Sequence, residues 1–168
     1  GTAILDICSS RESHYPADFP ETMSRISATG MNALELGANK QLTDFEPKNL
    51  NIEPKLPYED ESFDVVTCVV SVDYLNKPLE VFSEVNRVLK PGGKLLFHEH
   101  VLSETDEKLA ALQRAFTPMQ VKSADGCHLD RPTLETIRAS GFARVDAESF
   151  SLPGFWVLSA TAAGIAIK

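Results

Sequence analysis

The sequence is short of cysteine, of basic residues and of long apolar runs, and each shortage excludes a class of protein. Its 168 residues contain three cysteines, an odd number at no metal-binding spacing, which argues against a disulfide framework and indicates a reducing compartment. It has 16 basic residues against 24 acidic ones, so a nucleic-acid partner is not expected, because phosphate binding relies on clustered positive charge. The longest apolar stretch, Trp156 to Ile167, is interrupted by polar residues and falls short of the ~20 residues of a membrane span, so no transmembrane segment is predicted.

Length and apolar content indicate a single domain over residues 1–168. With 43% hydrophobic residues, the chain has enough apolar surface to offset the conformational entropy lost on folding. It begins with Gly1 rather than Met and shows no targeting peptide, which indicates a cut N-terminus. We expect a cytoplasmic location or the matrix or stroma of an organelle, and the sequence does not choose among them.

Short aliphatic runs alternate with helical patterns, which is typical of βαβ units and a parallel sheet. The run Phe63–Val70 is hydrophobic almost throughout, as expected for a strand covered on both faces, so it is the predicted central strand. The other predicted strands are Ala3–Ile7, Arg25–Thr29, Lys94–His98, Ala143–Phe150, Ala163–Ile167 and a weaker one near Phe45–Leu50.

Helical spacing predicts three main helices, which run from about Lys77 to Leu89, from Ser103 to Pro118 and from Arg131 to Ser140. The expected N-terminal caps are Asn76, a capping box of Ser103 with Asp106, and Asp130. The expected stop signals are Gly92 with Gly93 after the first helix and Gly141 after the third. Pro16 and Pro20 interrupt the first crossover, so its helix should be short or absent.

Three motifs follow one another in the order of a known superfamily. They are Ile4-Leu5-Asp6, the run Leu56-Pro57-Tyr58-Glu59-Asp60-Glu61-Ser62-Phe63-Asp64-Val65-Val66, and Arg87-Val88-Leu89-Lys90-Pro91-Gly92-Gly93-Lys94-Leu95. Together they resemble the class I S-adenosylmethionine-dependent methyltransferases of type 11. The resemblance implies an α/β, Rossmann-like fold: a seven-stranded, mostly parallel sheet with an antiparallel C-terminal hairpin and helices on both faces. It also implies S-adenosyl-L-methionine as cofactor.

The first loop departs from the superfamily, because Asp6 to Pro16 contains no glycine where relatives have a Gly-x-Gly-x-Gly loop. It is similar to a small subgroup whose loop reads Ser-Ser-x-x-Ser-His-x-Pro, and Gly30-Met31-Asn32 matches that subgroup too. By resemblance, the cofactor-binding residues are Asp6, Cys8, Ser10, His14, Gly30, Met31, Asn32, Asn49, Leu50, Ser71 and Asp73.

Three of these positions leave alternatives open. Gly30 stands where relatives have an acidic residue for the ribose hydroxyls, a role that Glu35 could take instead. Asn49 replaces an aspartate that accepts from adenine, and its carbonyl oxygen can still accept a hydrogen bond. His14 could donate to the cofactor carboxylate or could brace the loop by a hydrogen bond.

The later part of the chain resembles a different subgroup, the methyltransferase-like thiol methyltransferases. The segments Phe97–Val101, Asp125–Arg131 and Gly164–Lys168 carry this resemblance, from which His98 and His128 depart. It favours a thiol as methyl acceptor.

Methyl transfer from a sulfonium is an in-line displacement that depends mainly on positioning, so few catalytic residues are needed. His100 could take a proton from the acceptor, or it could simply bond a neighbouring backbone carbonyl. Cys8 and Cys68 are expected to be small core residues, and the spacing of His98, His100, Cys127 and His128 matches no usual zinc site, so no metal is predicted.

The sequence therefore favours a methyltransferase that uses S-adenosylmethionine and a small-molecule acceptor. The chain shows no helices before its first strand, where relatives carry a lid over the acceptor. This feature supports an alternative, a catalytically inactive methyltransferase-fold subunit that binds protein partners in a larger assembly. A trimmed lid is a third interpretation.

Overall fold

The computed structural model describes residues 1–16 and 18–168, in which alternating strands and helices form one sheet. The strands are β1 (Ala3–Ile7), β2 (Arg25–Gly30), β3 (Asp44–Pro47), β4 (Phe63–Val69), β5 (Leu89–His100), β6 (Arg144–Ser151) and β7 (Ala160–Ile167). The helices are α1 (Phe19–Thr22), α2 (Ala33–Ala38), α3 (Pro78–Val88), α4 (Glu107–Ser123) and α5 (Thr133–Ala139), with one-turn 3₁₀ helices at Val72–Tyr74 and Trp156–Leu158. None of the helices in these residues is both long and apolar enough to cross a membrane.

The seven strands form one sheet in the order β3-β2-β1-β4-β5-β7-β6. Strands β1 to β5 pair in parallel, whereas β7 runs antiparallel to both β5 and β6. This arrangement confirms the predicted sheet and its C-terminal hairpin. It also confirms the central position of β4, which lies between β1 and β5.

The main core lies between the central strands and α3. Apolar side chains recur along α3 at helical spacing, so that one stripe of the helix faces the sheet. Fully buried members of this core include Phe63, Val66, Cys68, Val81, Phe82, Val85 and Val88. Burial of a side chain of this size contributes about 1.5–3 kcal/mol, so the pairing of α3 with β4 is a principal source of stability.

The predicted N-terminal caps of α3 and α5, Asn76 and Asp130, are wrong because tertiary contacts decide the caps. Lys77, not Asn76, precedes α3, and the Asn76 amide instead donates to the Asn51 side chain at 2.7 Å. Pro132, not Asp130, precedes α5, and neither helix has a side-chain cap at its start.

The predicted ends of two helices also need correction. Helix α3 ends at Val88, before Gly92 and Gly93, because Leu89 already pairs with Phe63 as part of β5. Helix α4 starts at Glu107 rather than at Ser103, with Asp106 as its cap, and continues past Pro118 to Ser123. The predicted hydrogen bond from the Asp106 amide to the Ser103 hydroxyl is present at 3.1 Å. A proline inside a helix removes one backbone donor, and the other bonds of α4 are sufficient to carry the helix through it.

The acidic turn before β4 is held by one arginine on α3. Arg87 donates to the carbonyl oxygens of Leu56 (3.0 Å) and Tyr58 (2.9 Å) and to the carboxylates of Asp60 (2.6 Å) and Glu84 (2.7 Å). The planar guanidinium can reach these acceptors in several directions at once, which an ammonium cannot. Arg87 therefore fixes the entry to the central strand.

We expect Arg87→Lys to lower the free energy of unfolding by about 1–3 kcal/mol, because the partly buried carbonyls of Leu56 and Tyr58 lose a donor. Chemical denaturation measures this change. Arg138→Lys, at an exposed position of α5, is the matched control and should change stability little. Equal stabilities for the two variants would contradict the role given to Arg87.

Candidate functional site

A cavity of about 260 Å³ lies at the carboxyl edge of the parallel strands, formed by the loops that follow β1, β2, β3 and β4. Ligands of open α/β sheets bind at this edge. Of the predicted cofactor-binding residues, the lining includes Cys8, Ser10, Gly30, Met31, Asn32, Asn49, Leu50 and Ser71. Asp6, His14 and Asp73 are not in this lining.

Asp6 and His14 instead line an open groove of about 910 Å³ on one face of the sheet, together with residues of β4 to β7. The Asp6 carboxylate accepts hydrogen bonds from the hydroxyls of Ser13 and Thr67, both at 2.9 Å. Burial raises the pKa of Asp6, and these hydrogen bonds oppose the shift. The structure therefore gives Asp6 a bracing contact between the first loop and the central strand.

The loop after β1 contains no glycine, yet its backbone lies in contact with the end of β2. Cys8 has φ +55°, the left-handed conformation that glycine adopts most readily, and the Ser9 amide donates to the Thr29 carbonyl at 3.0 Å. A Cβ on Gly30 would lie only 2.2 Å from the Ser9 oxygen. Gly30 is therefore needed where the loop after β1 crosses the end of β2.

Two asparagines that sequence reasoning did not select hold the loops of the cavity. The Asn39 side chain donates to the Ser10 carbonyl (3.2 Å) and the Ser13 hydroxyl (3.0 Å). The Asn51 side chain donates to the Tyr74 carbonyl at 2.8 Å, which joins the loop after β3 to that after β4. No local pattern signals either role, because each partner lies more than twenty residues away.

The residues predicted to contact the ribose and adenine lie at the cavity, but some of their polar atoms already bond the backbone. Asn32 caps α2 by accepting from the amides of Leu34 and Glu35, while the Glu35 side chain also lines the cavity. The Asn49 side-chain oxygen accepts from the Asn51 amide at 2.9 Å. A carbonyl oxygen has two lone pairs, so Asn49 keeps one for a ligand.

The turn after β4 rests on a buried carboxylate, that of Glu99 on β5, a residue that its position near the carboxyl edge of the sheet makes a site candidate in the sequence. Glu99 is fully buried and accepts from the amides of Ser71 (2.8 Å) and Val72 (3.2 Å) and from the Cys68 thiol (3.2 Å). Burial raises its pKa to about 7. Burial and the charge of Glu99 together raise the pKa of nearby Asp73 to about 8.

His98 and His100 lie on the opposite side of β5 from Glu99, as strand alternation predicts. The His98 ring stacks on Phe150 with centroids 6.0 Å apart and lines the groove. His100 lies near Phe155 and lines neither the groove nor the cavity. Burial lowers the pKa of His100, and a hydrogen bond with the Leu158 backbone opposes the shift.

The cysteines are poorly suited to act as nucleophiles. Burial raises the pKa of Cys8 to about 12 and that of the fully buried Cys68 well above its ordinary value. Both thiols therefore stay protonated near neutral pH. Within residues 1–16 and 18–168, no three His, Cys, Asp or Glu side chains are grouped closely enough to hold a metal ion.

Comparison with known proteins gives both sequence relatives and structural neighbours. Thiol S-methyltransferase TMT1B of Rattus norvegicus is 39% identical over 98 residues, which is 58% of this chain and 40% of the relative. The chain thus spans less than half the length of that protein. Among solved structures, YcgJ of Bacillus subtilis superposes with a TM-score of 0.74 at 15% identity, covering 99% of this chain and 92% of YcgJ.

A further structural neighbour shows that this fold hosts other chemistry. The [4+2]-cyclase SpnF superposes with a TM-score of 0.72 at 20% identity, covering 100% of this chain and 74% of SpnF. Such similarity shows the fold alone, since one fold supports many reactions. A model of the methyltransferase domain family, however, matches residues 13–97, half of the sequence and most of the cavity-forming loops. The chain therefore belongs to the type 11 methyltransferase domain family, for which S-adenosylmethionine is the implied cofactor.

Proposed function

We propose that this chain binds S-adenosylmethionine in the 260 Å³ cavity and supports methyl transfer to a small-molecule thiol. The observation that carries the proposal is the convergence of four strand-end loops on one cavity, which contains most of the residues that the family resemblance selects. The similarity to a thiol S-methyltransferase supports the choice of acceptor.

The residues around the cavity fit this cofactor chemically. Glu35 offers a carboxylate for ribose hydroxyls, and Asn49 offers an amide for the adenine edge. Leu50 and Leu75 supply apolar surface for the adenine ring, and both are buried. The close approach of Ser9 and Gly30 brings backbone polar groups to the cavity wall, the role that glycine-rich loops fill in other nucleotide sites.

When bound, S-adenosylmethionine supplies an electrophilic methyl group on a sulfonium. The contribution of the chain is then to orient the reactants and exclude water, because in-line transfer gains most from positioning. A thiol acceptor must lose its proton, and a neutral imidazole can accept one. His100 has such an imidazole, since burial lowers its pKa and its Nδ1 has no hydrogen-bond partner among the described residues. It lies outside the cavity lining at the carboxyl end of β5, so the acceptor thiol would have to bind at that strand end, beside the cavity.

Binding of S-adenosylmethionine should be detectable by titration calorimetry and as a rise in melting temperature. Gly30→Ala should weaken binding at least about tenfold, because the new methyl group displaces the Ser9 carbonyl from the cavity wall. Gly37→Ala, where a Cβ would lie 3.5 Å from Phe45, is the control and should bind normally. Absence of heat and of a thermal shift at millimolar cofactor would favour the inactive-subunit interpretation.

With cofactor bound, we expect methyl transfer to small thiols and little to phenols, carboxylates or amines. A thiol loses its proton more readily than a phenol or an ammonium ion and is the better nucleophile near neutral pH. A panel of acceptors of each class, followed by mass spectrometry of the methylated product, measures this preference. Equal rates across the panel would count against a thiol acceptor.

His100→Gln should reduce turnover by about 10²-fold or more without changing cofactor affinity, because glutamine cannot take up the proton. The reduction should shrink as the pH approaches the pKa of the acceptor thiol. His98→Gln, which alters a ring stacked on Phe150, is the matched control. Unchanged turnover in His100→Gln would remove His100 from the reaction.

A further inference from the structure

The turn that forms one wall of the cavity lies directly against two buried carboxyl groups. Glu99 accepts the amides of Ser71 and Val72, and Asp73 follows in the same turn. Ser71 and Tyr74, at the two ends of this turn, line the cavity. The exposed fractions of Glu99 and Asp73 are only 0% and 2%, so water screens their charges little.

The carboxyl groups of Glu99 and Asp73 are not neutralised by ion pairs with basic side chains in the described residues. The Asp73 Oδ1 atom is buried and finds no hydrogen-bond partner among the described residues. The cationic group that acts on Asp73 is Arg131, whose Nη2 donates to the Leu75 carbonyl and whose buried Nε has no hydrogen-bond partner in the described part of the chain. Arg131 thus acts on Asp73 alone, and among the described residues it forms no ion pair with either carboxylate.

The other ionisable groups around Glu99 and Asp73 do not supply the missing positive charge. The thiols of Cys68 on β4 and of Cys8 after β1 lie near Glu99, whereas the carboxyl group of Asp6 lines the groove on the other face of the sheet. Asp130 adds a further negative charge near Asp73, and its Oδ1 lies 3.6 Å from the Nδ1 of His128. The Tyr74 hydroxyl and the Cys127 thiol also lie near Asp73, and neither can add a positive charge. His98 and His100 project from the other side of β5, and His14 acts on Asp6 instead. The charge that these groups could add is therefore mainly negative.

The charge of Glu99 reaches the cavity wall. It helps to raise the pKa of the Cys8 thiol, whose side chain lines the cavity on the side of β1. Cys8 and Ser71 follow the neighbouring strands β1 and β4, so Glu99 lies beneath the point where the two loops meet. A positive charge placed in the cavity would interact with this carboxylate through a medium of low dielectric constant.

We propose that Glu99 and Asp73 form a buried counter-charge for the sulfonium of the cofactor, and that cofactor binding expels a proton from this pair. The inference rests on the proposed function, since it requires S-adenosylmethionine in the cavity. Without ligand, the carboxyl pair holds a proton near neutral pH; with a cation in the cavity, the proton passes to the buffer and the pair gains one negative charge. The thioether product carries no sulfonium, so it gains less from the pair and is bound less tightly.

The direction of the pH effect follows from linkage. Burial raises the pKa of Glu99 to about 7 and that of Asp73 to about 8, so the unliganded pair is largely protonated at pH 6. A nearby cation favours the ionised form and lowers these values. Affinity for S-adenosylmethionine should therefore rise from pH 6 to pH 8, by at most about tenfold per pH unit for each proton released, and then level off.

Titration calorimetry of the chain in buffers of different ionisation enthalpy counts the protons released. We expect a net release of a substantial fraction of a proton with S-adenosylmethionine at pH 6.5, and less with S-adenosylhomocysteine. The two ligands share the same amino-acid and adenosine parts, so the difference isolates the sulfonium. Equal proton counts for the two ligands would overturn the inference while leaving cofactor binding intact, whereas absence of binding would overturn the proposed function as well.

Glu99→Gln removes the charge but keeps a carbonyl oxygen for the amides of Ser71 and Val72. We expect it to reduce the proton release and to lower the preference for cofactor over product at pH 8 by about tenfold. Asp73→Asn should act in the same direction and provides a second test if the first variant folds poorly. Glu80→Gln removes the same charge from an exposed position on α3 and should leave both quantities unchanged. Proton release unaltered in both buried variants would overturn the proposal.

Discussion

The parallel pairing of β2, β1 and β4 is the constraint on which the candidate site depends. Asp6 pairs with Ala28 on one side and with Thr67 on the other, so the three strands end at the same edge. The loops that follow must then converge, whatever their sequence. This convergence explains how a first loop without glycine still contributes to a cavity. The strand register sets the position of the loop, and its side chains need only fit into that position without a clash.

The glycine that allows the first loop to pass close to its neighbour lies at the end of β2, not in the loop itself. In a glycine-rich loop, the absence of side chains lets the loop backbone approach a ligand. Here the loop residue Cys8 adopts the left-handed conformation itself, and Gly30 at the end of β2 provides the space that Ser9 occupies. A left-handed non-glycine residue costs of order 1 kcal/mol, which the contacts of the loop with Asn39 and Thr29 can offset.

The fold of this protein can be predicted from the sequence more completely than its candidate site can. Strand positions could be predicted because hydrophobic periodicity reports burial directly, as for Phe63–Val70 at the centre of the sheet. The caps could not, because Asn76 bonds Asn51 across the structure instead of starting its helix. Most residues lining the cavity could be predicted from the family resemblance. Asp6 and His14 face the groove instead, because the orientation of strand and loop, which a motif does not record, decides where a side chain points.

The part of the candidate site that the sequence does not reveal is electrostatic, and Glu99 is the example. In the sequence it is one acidic residue between two histidines, and nothing local indicates that its carboxylate lies under the turn of Ser71 and Val72, 28 and 27 residues away. A fully buried carboxylate is costly unless donors or a cation satisfy it. Two amides and a thiol satisfy part of that demand, and the unpartnered Asp73 oxygen beside them leaves a negative potential. A chain with 24 acidic residues has many charges to place on its surface, so two that are buried beside a cavity mark that cavity as a candidate functional site.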